Sequence, residues 1–131
     1  MSKRILYVED NPHNMMLMRR LLTAEGHTII EAVDGESGWR QALLERPDLI
    51  LTDLLMPDID GFELTRRVKN TPELSHIPVV AITAYGSPEV EAKARAAGCD
   101  DFLHKPAAIP DIQATIHRFV GYPIDAMFAA I

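Results

Sequence analysis

A single cysteine, Cys99, leaves the chain without an internal disulfide and removes it from the class of small secreted domains held together by cross-links. Cys99 itself reads as a small loop or core residue. No apolar stretch approaches the roughly 18 residues of a membrane span. The opening residues MSKRILYVED reach a pair of acids too soon for a secretory signal. Basic residues are outnumbered, 13 Lys and Arg against 19 Asp and Glu, for a net charge of −6. They are scattered rather than gathered in one stripe, so direct binding to nucleic acid is not expected. There is no low-complexity stretch, no repeat at longer period and no linker. The 131 residues suffice for one domain with a real core and are too few for two ordinary ones. A soluble, cytoplasmic, single-domain protein with no attached output domain is the expectation.

What the chain does have is a series of short apolar runs, each ending in a polar residue suited to phosphoryl chemistry. ILYV precedes Glu9 and Asp10, LILT precedes Asp53, VVAI precedes Thr83, and FLH precedes Lys105. Helix-period segments separate the runs, which is the pattern of a βα repeat and a parallel sheet. Strands are predicted near Arg4–Val8, Thr28–Ala32, Leu49–Asp53, Val79–Thr83 and Asp101–His104.

A first helix from Pro12 to Glu25 carries Met15, Met18, Leu21 and Leu22 on one side and ends at Gly26. A second, Glu36–Glu45, carries Trp39 and Leu43 at i and i+4 and is stopped by Pro47. Phe62–Asn70 makes a third. Ser87 caps a fourth that opens with Pro88 and ends at Gly98. Ile109, Ile112, Ile116, Phe119 and Val120 stripe a fifth, which Gly121 ends.

Buried parallel strands open their ligand crevice at their carboxyl ends. Side by side, these strands would gather Glu9, Asp10, Asp53, Thr83 and Lys105 at one edge. Asp10 and Asp53 present the hard oxygen ligands that Mg²⁺ prefers, with Glu9 near enough to add charge or hold a coordinated water. A divalent cation would relieve the repulsion among the acids and neutralise phosphate oxygens. Asp53 is the expected nucleophile, since it ends a central strand and begins the loop Asp53–Pro57, where its oxygen can face solvent. Lys105 would supply a point charge to the phosphoryl oxygens, aimed by Pro106, and Thr83 a hydroxyl, with small Ala84 leaving room. His13, His27, His76, His104 and His117 lie on different elements without ligand spacing and read as ordinary histidines.

These residues carry a family resemblance. VED at Val8–Asp10, LILTDLLMPDIDGFE at Leu49–Glu63, VVAITA at Val79–Ala84 and FLHKP at Phe102–Pro106 resemble the response regulator receiver domain across about Lys3 to Gly121. EDNPHN at Glu9–Asn14 resembles receivers of hybrid kinases and of single-domain phosphorelay shuttles of the cell-division-regulator type.

The resemblance implies an α/β fold with a five-stranded parallel sheet of order 2-1-3-4-5, the flavodoxin-like arrangement. It implies Mg²⁺, with Mn²⁺ as a substitute, held by Asp10, Asp53 and the backbone carbonyl of Leu55, with Glu9 acting through water. It implies phosphorylation of Asp53 by a histidine kinase or a histidine phosphotransfer protein. It also implies a switch in which Thr83 moves toward the phosphoryl group and Phe102 changes rotamer with it, altering a protein-binding face made by the fourth helix, fifth strand and fifth helix. Phe102 stands where the family more commonly has tyrosine, and it has no hydroxyl to bond at the surface. Leu55 and Tyr85, two residues beyond Asp53 and Thr83, are expected to flank the phosphoryl group and slow its hydrolysis.

Two other readings compete. A metal-dependent phosphohydrolase using Asp53 would want a second acid soon after it, but Leu54 and Leu55 follow, and Asp58 lies beyond a proline turn. A degenerate receiver serving as a scaffold would have lost part of the cluster, and none is lost. The receiver is expected to occupy residues 1–121. Tyr122–Ile131 would form a C-terminal extension with Ile124, Met127, Phe128 and Ile131 at helical spacing, docked on this domain or across a weak homodimer.

Overall fold

The computed structural model describes residues 3–121. In it, strand and helix alternate five times: β1 Arg4–Val8, α1 Pro12–Ala24, β2 Thr28–Ala32, α2 Gly35–Glu45, β3 Leu49–Thr52, α3 Gly61–Lys69, β4 Val79–Thr83, α4 Pro88–Ala97, β5 Asp101–His104 and α5 Ile109–Val120. All strand pairs are parallel, in the order β2-β1-β3-β4-β5. This is the predicted doubly wound arrangement. β1 and β3 lie in the interior of the sheet, and every residue of β3 and β4 is buried, which is why their sequences run apolar without alternating.

Side chains of successive strand residues feed two cores. On one face Leu6, Val8, Ile50, Val79 and Ala81 pack with Ala42 of α2, Leu64 and Val68 of α3, and Ala94 of α4. On the other, Ile5, Tyr7, Leu51, Val80 and Ile82 pack with Met15, Met18 and Leu22 of α1 and Ile116 of α5. The Met-rich stripe of α1 is therefore core.

The helix ends follow from their caps. Asn11 accepts from the backbone N–H of His13 and Asn14 at the start of α1, and Ser87 accepts from that of Val90 at the start of α4. Gly26 and Gly98 take the left-handed conformation where α1 and α4 stop.

One helix face departs from the sequence expectation. α2 buries Gly35, Gly38 and Ala42, while Trp39 is half-buried and Leu43 is exposed. The cause is close approach: a Cβ at Gly38 would lie 2.9 Å from Val8 Cγ2. The smallest residues, not the largest, therefore face the sheet. The extension expected at Tyr122–Ile131 lies outside the described residues.

Candidate functional site

β1 and β3 are neighbours, so the residues just past their carboxyl ends are neighbours too. Val8 and Thr52 are paired in register, and the Asp53 N–H donates to the Val8 carbonyl at 3.1 Å. Glu9 and Asp10 follow Val8 directly. The result is that one oxygen from each of Glu9, Asp10 and Asp53 lies within 4.8 Å of the other two. Lys105, one residue past β5, reaches across the sheet edge. Its ammonium donates to Asp53 Oδ2 at 2.9 Å and makes a short contact with Glu9 Oε1. Its own N–H donates to the Thr83 carbonyl at 2.8 Å, which ties the lysine strand end to β4.

The Asp53 backbone is fixed from several sides. Thr52 Oγ1 donates to its carbonyl at 2.8 Å, and Gly61 packs so tightly beneath that a Cβ there would lie 2.3 Å from the same oxygen. The loop between Asp53 and α3 is pinned at two more points. Asp58 accepts from the N–H groups of Gly35 and Glu36 at α2, and Asp60 accepts from the Glu63 N–H at α3. Burial works against the charged form of Asp58, but these backbone donors outweigh it and hold the carboxyl below its ordinary value.

Exposure differs sharply within the cluster. The Glu9 side chain is 1% exposed, Asp53 13% and Lys105 18%, whereas Asp10 is exposed. Asp53 faces solvent less than its loop position suggested, because Lys105 covers one oxygen and the Leu55 N–H approaches the other at 3.3 Å. Burial alone would lower Lys105, but the hydrogen bonds and charges of Glu9 and Asp53 outweigh it and hold the ammonium above its ordinary range.

Three carboxylates and one ammonium leave the cluster two charges short of neutral. A hard divalent cation, with oxygen ligands only, fits that donor set and that deficit.

Thr83 is fully buried, with Oγ1 accepting from the Tyr85 N–H at 3.3 Å. Phe102 is buried on the α2–α3–α4 side, its ring T-shaped to that of His104 at 5.0 Å between centroids. Leu55 and Tyr85 are 49% and 65% exposed and stand on the loops that leave β3 and β4.

Two contributors escaped the sequence reading. The Tyr7 hydroxyl donates to Glu9 Oε1 at 3.1 Å, and Asn14 Nδ2 donates to the same oxygen at 3.2 Å. Burial first, then the Glu9 charge, pushes the Tyr7 hydroxyl well above its ordinary range, so it stays protonated and can donate. The Tyr7 ring and Lys105 also border a cleft of about 640 Å³ between α1 and α5, lined by Leu17, Met18, Ile82 and Ile112 among others.

An acidic, lysine-bridged crevice at the carboxyl edge of a parallel sheet defines a doubly wound α/β protein with its site at the topological switch. Within that class, residues 5–117 match the response regulator receiver domain. The chain belongs to this family and is a module of two-component signalling.

Among its relatives is the polar-differentiation response regulator DivK of Brucella anthropi, 39% identical over 121 residues, with 92% of this chain and 98% of the relative covered. The Brucella ovis counterpart is 38% identical with the same coverage. The receiver domain of a sensor histidine kinase from Pseudomonas aeruginosa, solved with magnesium in its active-site cleft, superposes with a TM-score of 0.85 at 30% identity over 92% of this chain and 99% of that one. A chemotaxis protein of Vibrio cholerae gives a TM-score of 0.86 at 26% identity, over 92% of this chain and all of that one. Among the described residues, no helix is long and apolar enough to cross a membrane.

Proposed function

We propose that this receiver takes a phosphoryl group onto Asp53 from the phosphohistidine of a histidine kinase or histidine phosphotransfer protein. A carboxylate oxygen of Asp53 would attack phosphorus as the P–N bond breaks, leaving the imidazole with the bonding electron pair and Asp53 as an acyl phosphate. The observation that carries this reading is the ammonium of Lys105 held 2.9 Å from Asp53 Oδ2, a position from which it can pair with a new phosphoryl oxygen.

Asp10, Asp53 and the Leu55 carbonyl, with Glu9 through water, would hold Mg²⁺ or Mn²⁺. When bound, the ion would supply neutralising charge for the phosphoryl oxygens. Thr83 Oγ1 would turn from the Tyr85 N–H to those oxygens, and Phe102 would change rotamer with it. That shift would alter the face formed by α4, β5 and α5, to which a downstream protein binds.

Leu55 and Tyr85 would screen the acyl phosphate from water. The module would thus catalyse its own phosphorylation and its own slow dephosphorylation, in the cytoplasm, as a monomer or weak homodimer. Residues 1–121 would make up the receiver and residues 122–131 an extension of it.

The phosphohydrolase reading is disfavoured by Asp58. Its carboxylate is tied to two backbone N–H groups at α2 and is held ionised, so it is a poor proton donor to a leaving group. A phosphohistidine donor incubated with the protein should transfer its label in magnesium, and excess chelator should abolish the transfer. Transfer undiminished by chelator would refute the proposed metal role.

A further inference from the structure

Glu9 carries more donors than its proposed role in metal binding requires. Its Oε1 accepts from Tyr7 Oη, Asn14 Nδ2 and Lys105 Nζ, and its Oε2 accepts from the Asn11 N–H at 3.2 Å. The carboxylate is 1% exposed, so bulk solvent cannot stand in for a donor that leaves Oε1. On the reading given above, one donor does leave: the Lys105 ammonium serves Glu9 and Asp53 in the resting state and must turn to the phosphoryl oxygens once they arrive. A buried carboxylate stripped of its ammonium is costly, and that cost would oppose phosphoryl binding.

We propose that Tyr7 and Asn14 are positioning residues that keep Glu9 hydrogen-bonded while Lys105 is handed from Glu9 to the phosphoryl group. Both are built for this. Tyr7 is 3% exposed on the interior strand β1, two residues before Glu9, so both side chains leave the strand on the same side. Its ring is held among the apolar side chains of the α1–α5 core, which fixes the hydroxyl on Glu9. Asn14 sits in the first turn of α1, where the Asn11 cap fixes the backbone that carries it.

In the resting state Oε1 has three donors, and losing one costs little. In the phosphoryl-bound state Tyr7 and Asn14 are the two that remain on that oxygen, and losing one costs more. The pair therefore acts on the difference between the states rather than on the fold.

The inference rests on the proposed role of Lys105, and its test separates the two. The probe is beryllium trifluoride, a tetrahedral stand-in for a phosphoryl group on a carboxylate, titrated in saturating magnesium and read as binding by calorimetry or NMR. Tyr7→Phe should weaken its affinity by about tenfold, the scale of one hydrogen bond to a buried charge. Asn14→Ala should act in the same direction, and it reports on the same oxygen from a half-exposed position should Tyr7→Phe not fold.

In a Lys105→Ala background the effect of Tyr7→Phe should shrink below about twofold, because Glu9 then lacks the ammonium in both states. Wild-type affinity in both Tyr7→Phe and Asn14→Ala would overturn the inference. So would an undiminished tenfold loss in the Lys105→Ala background, which would make Tyr7 merely structural. If Lys105→Ala alone binds the probe as tightly as the wild type, the role of Lys105 fails, and the inference falls with it.

Discussion

Replacing Gly61 with alanine should damage the site through the backbone that carries it. A Cβ at Gly61 would lie 2.3 Å from the Asp53 carbonyl oxygen, 2.8 Å from Leu54 Cα and 3.1 Å from the Asp53 carbonyl carbon. All three are main-chain atoms, so no side chain can rotate away. An ordinary contact requires the loop and the start of α3 to separate by roughly 1 Å, and the Gly61 N–H bond to the Leu54 carbonyl, now 2.9 Å, has to stretch with it.

Overpacking of this kind costs about 1–3 kcal/mol, and the smaller entropy of the unfolded alanine chain returns roughly 0.4–1 kcal/mol. A net loss of about 1–2 kcal/mol follows, worth a melting temperature several degrees lower. The larger effect should be on chemistry: moving Asp53 by about 1 Å against Lys105 and Asp10 should slow phosphoryl uptake by roughly a hundredfold. The assay is uptake from a small-molecule phosphodonor well below the melting temperature, beside thermal unfolding. Val68→Ala, a truncation of a fully buried α3 side chain, is the stability-matched control at about 2 kcal/mol. Wild-type uptake by Gly61→Ala, or an equal loss in Val68→Ala, would refute the reasoning.

Two further outcomes are expected. Replacing Leu55 and Tyr85 together with serine should shorten the lifetime of the phosphorylated form, since both side chains stand exposed on the loops leaving β3 and β4; an unchanged or longer lifetime in a decay assay would refute their screening role. His27 is buried, its Nδ1 accepts from the Lys3 N–H and its Nε2 has no partner among the described residues. Burial, the leading cause, lowers its pKa, opposed by the charges of Glu25 and Asp48 and assisted by that of His117. A histidine held neutral contributes stability that is present above its unfolded value of about 6.5 and is lost as pH falls through the lower folded value. The wild-type melting temperature should therefore decline below about pH 6.5, and His27→Gln should flatten that decline; parallel curves would contradict it.

The strands were legible because each run of Val, Ile and Leu is bounded by residues that stop it, and the acids and Lys105 follow those runs directly; their order in the sheet came only from the family resemblance. The buried face of α2 was not legible. Hydrophobic spacing favours Trp39 and Leu43, but the tight approach to Val8 selects Gly38 and Ala42, and a glycine carries no apolar signal. Tyr7 was hidden for the opposite reason: inside ILYV it reads as one more core residue, although its spacing of two from Glu9 was a usable sign that both point the same way. Asn14 gave no signal because a polar residue in the first turn of a helix ordinarily faces solvent, whereas here its side chain turns back to Glu9. The limited exposure of Asp53 could not be read either, since it depends on Lys105 arriving from 52 residues away.

The central claim is that one carboxylate, Asp53, receives the phosphoryl group. Intact-mass measurement after incubation with a small-molecule phosphodonor and magnesium tests it most directly. The wild type should gain a single acid-labile phosphoryl group and Asp53→Asn none; a phosphoryl group retained on Asp53→Asn would contradict the account.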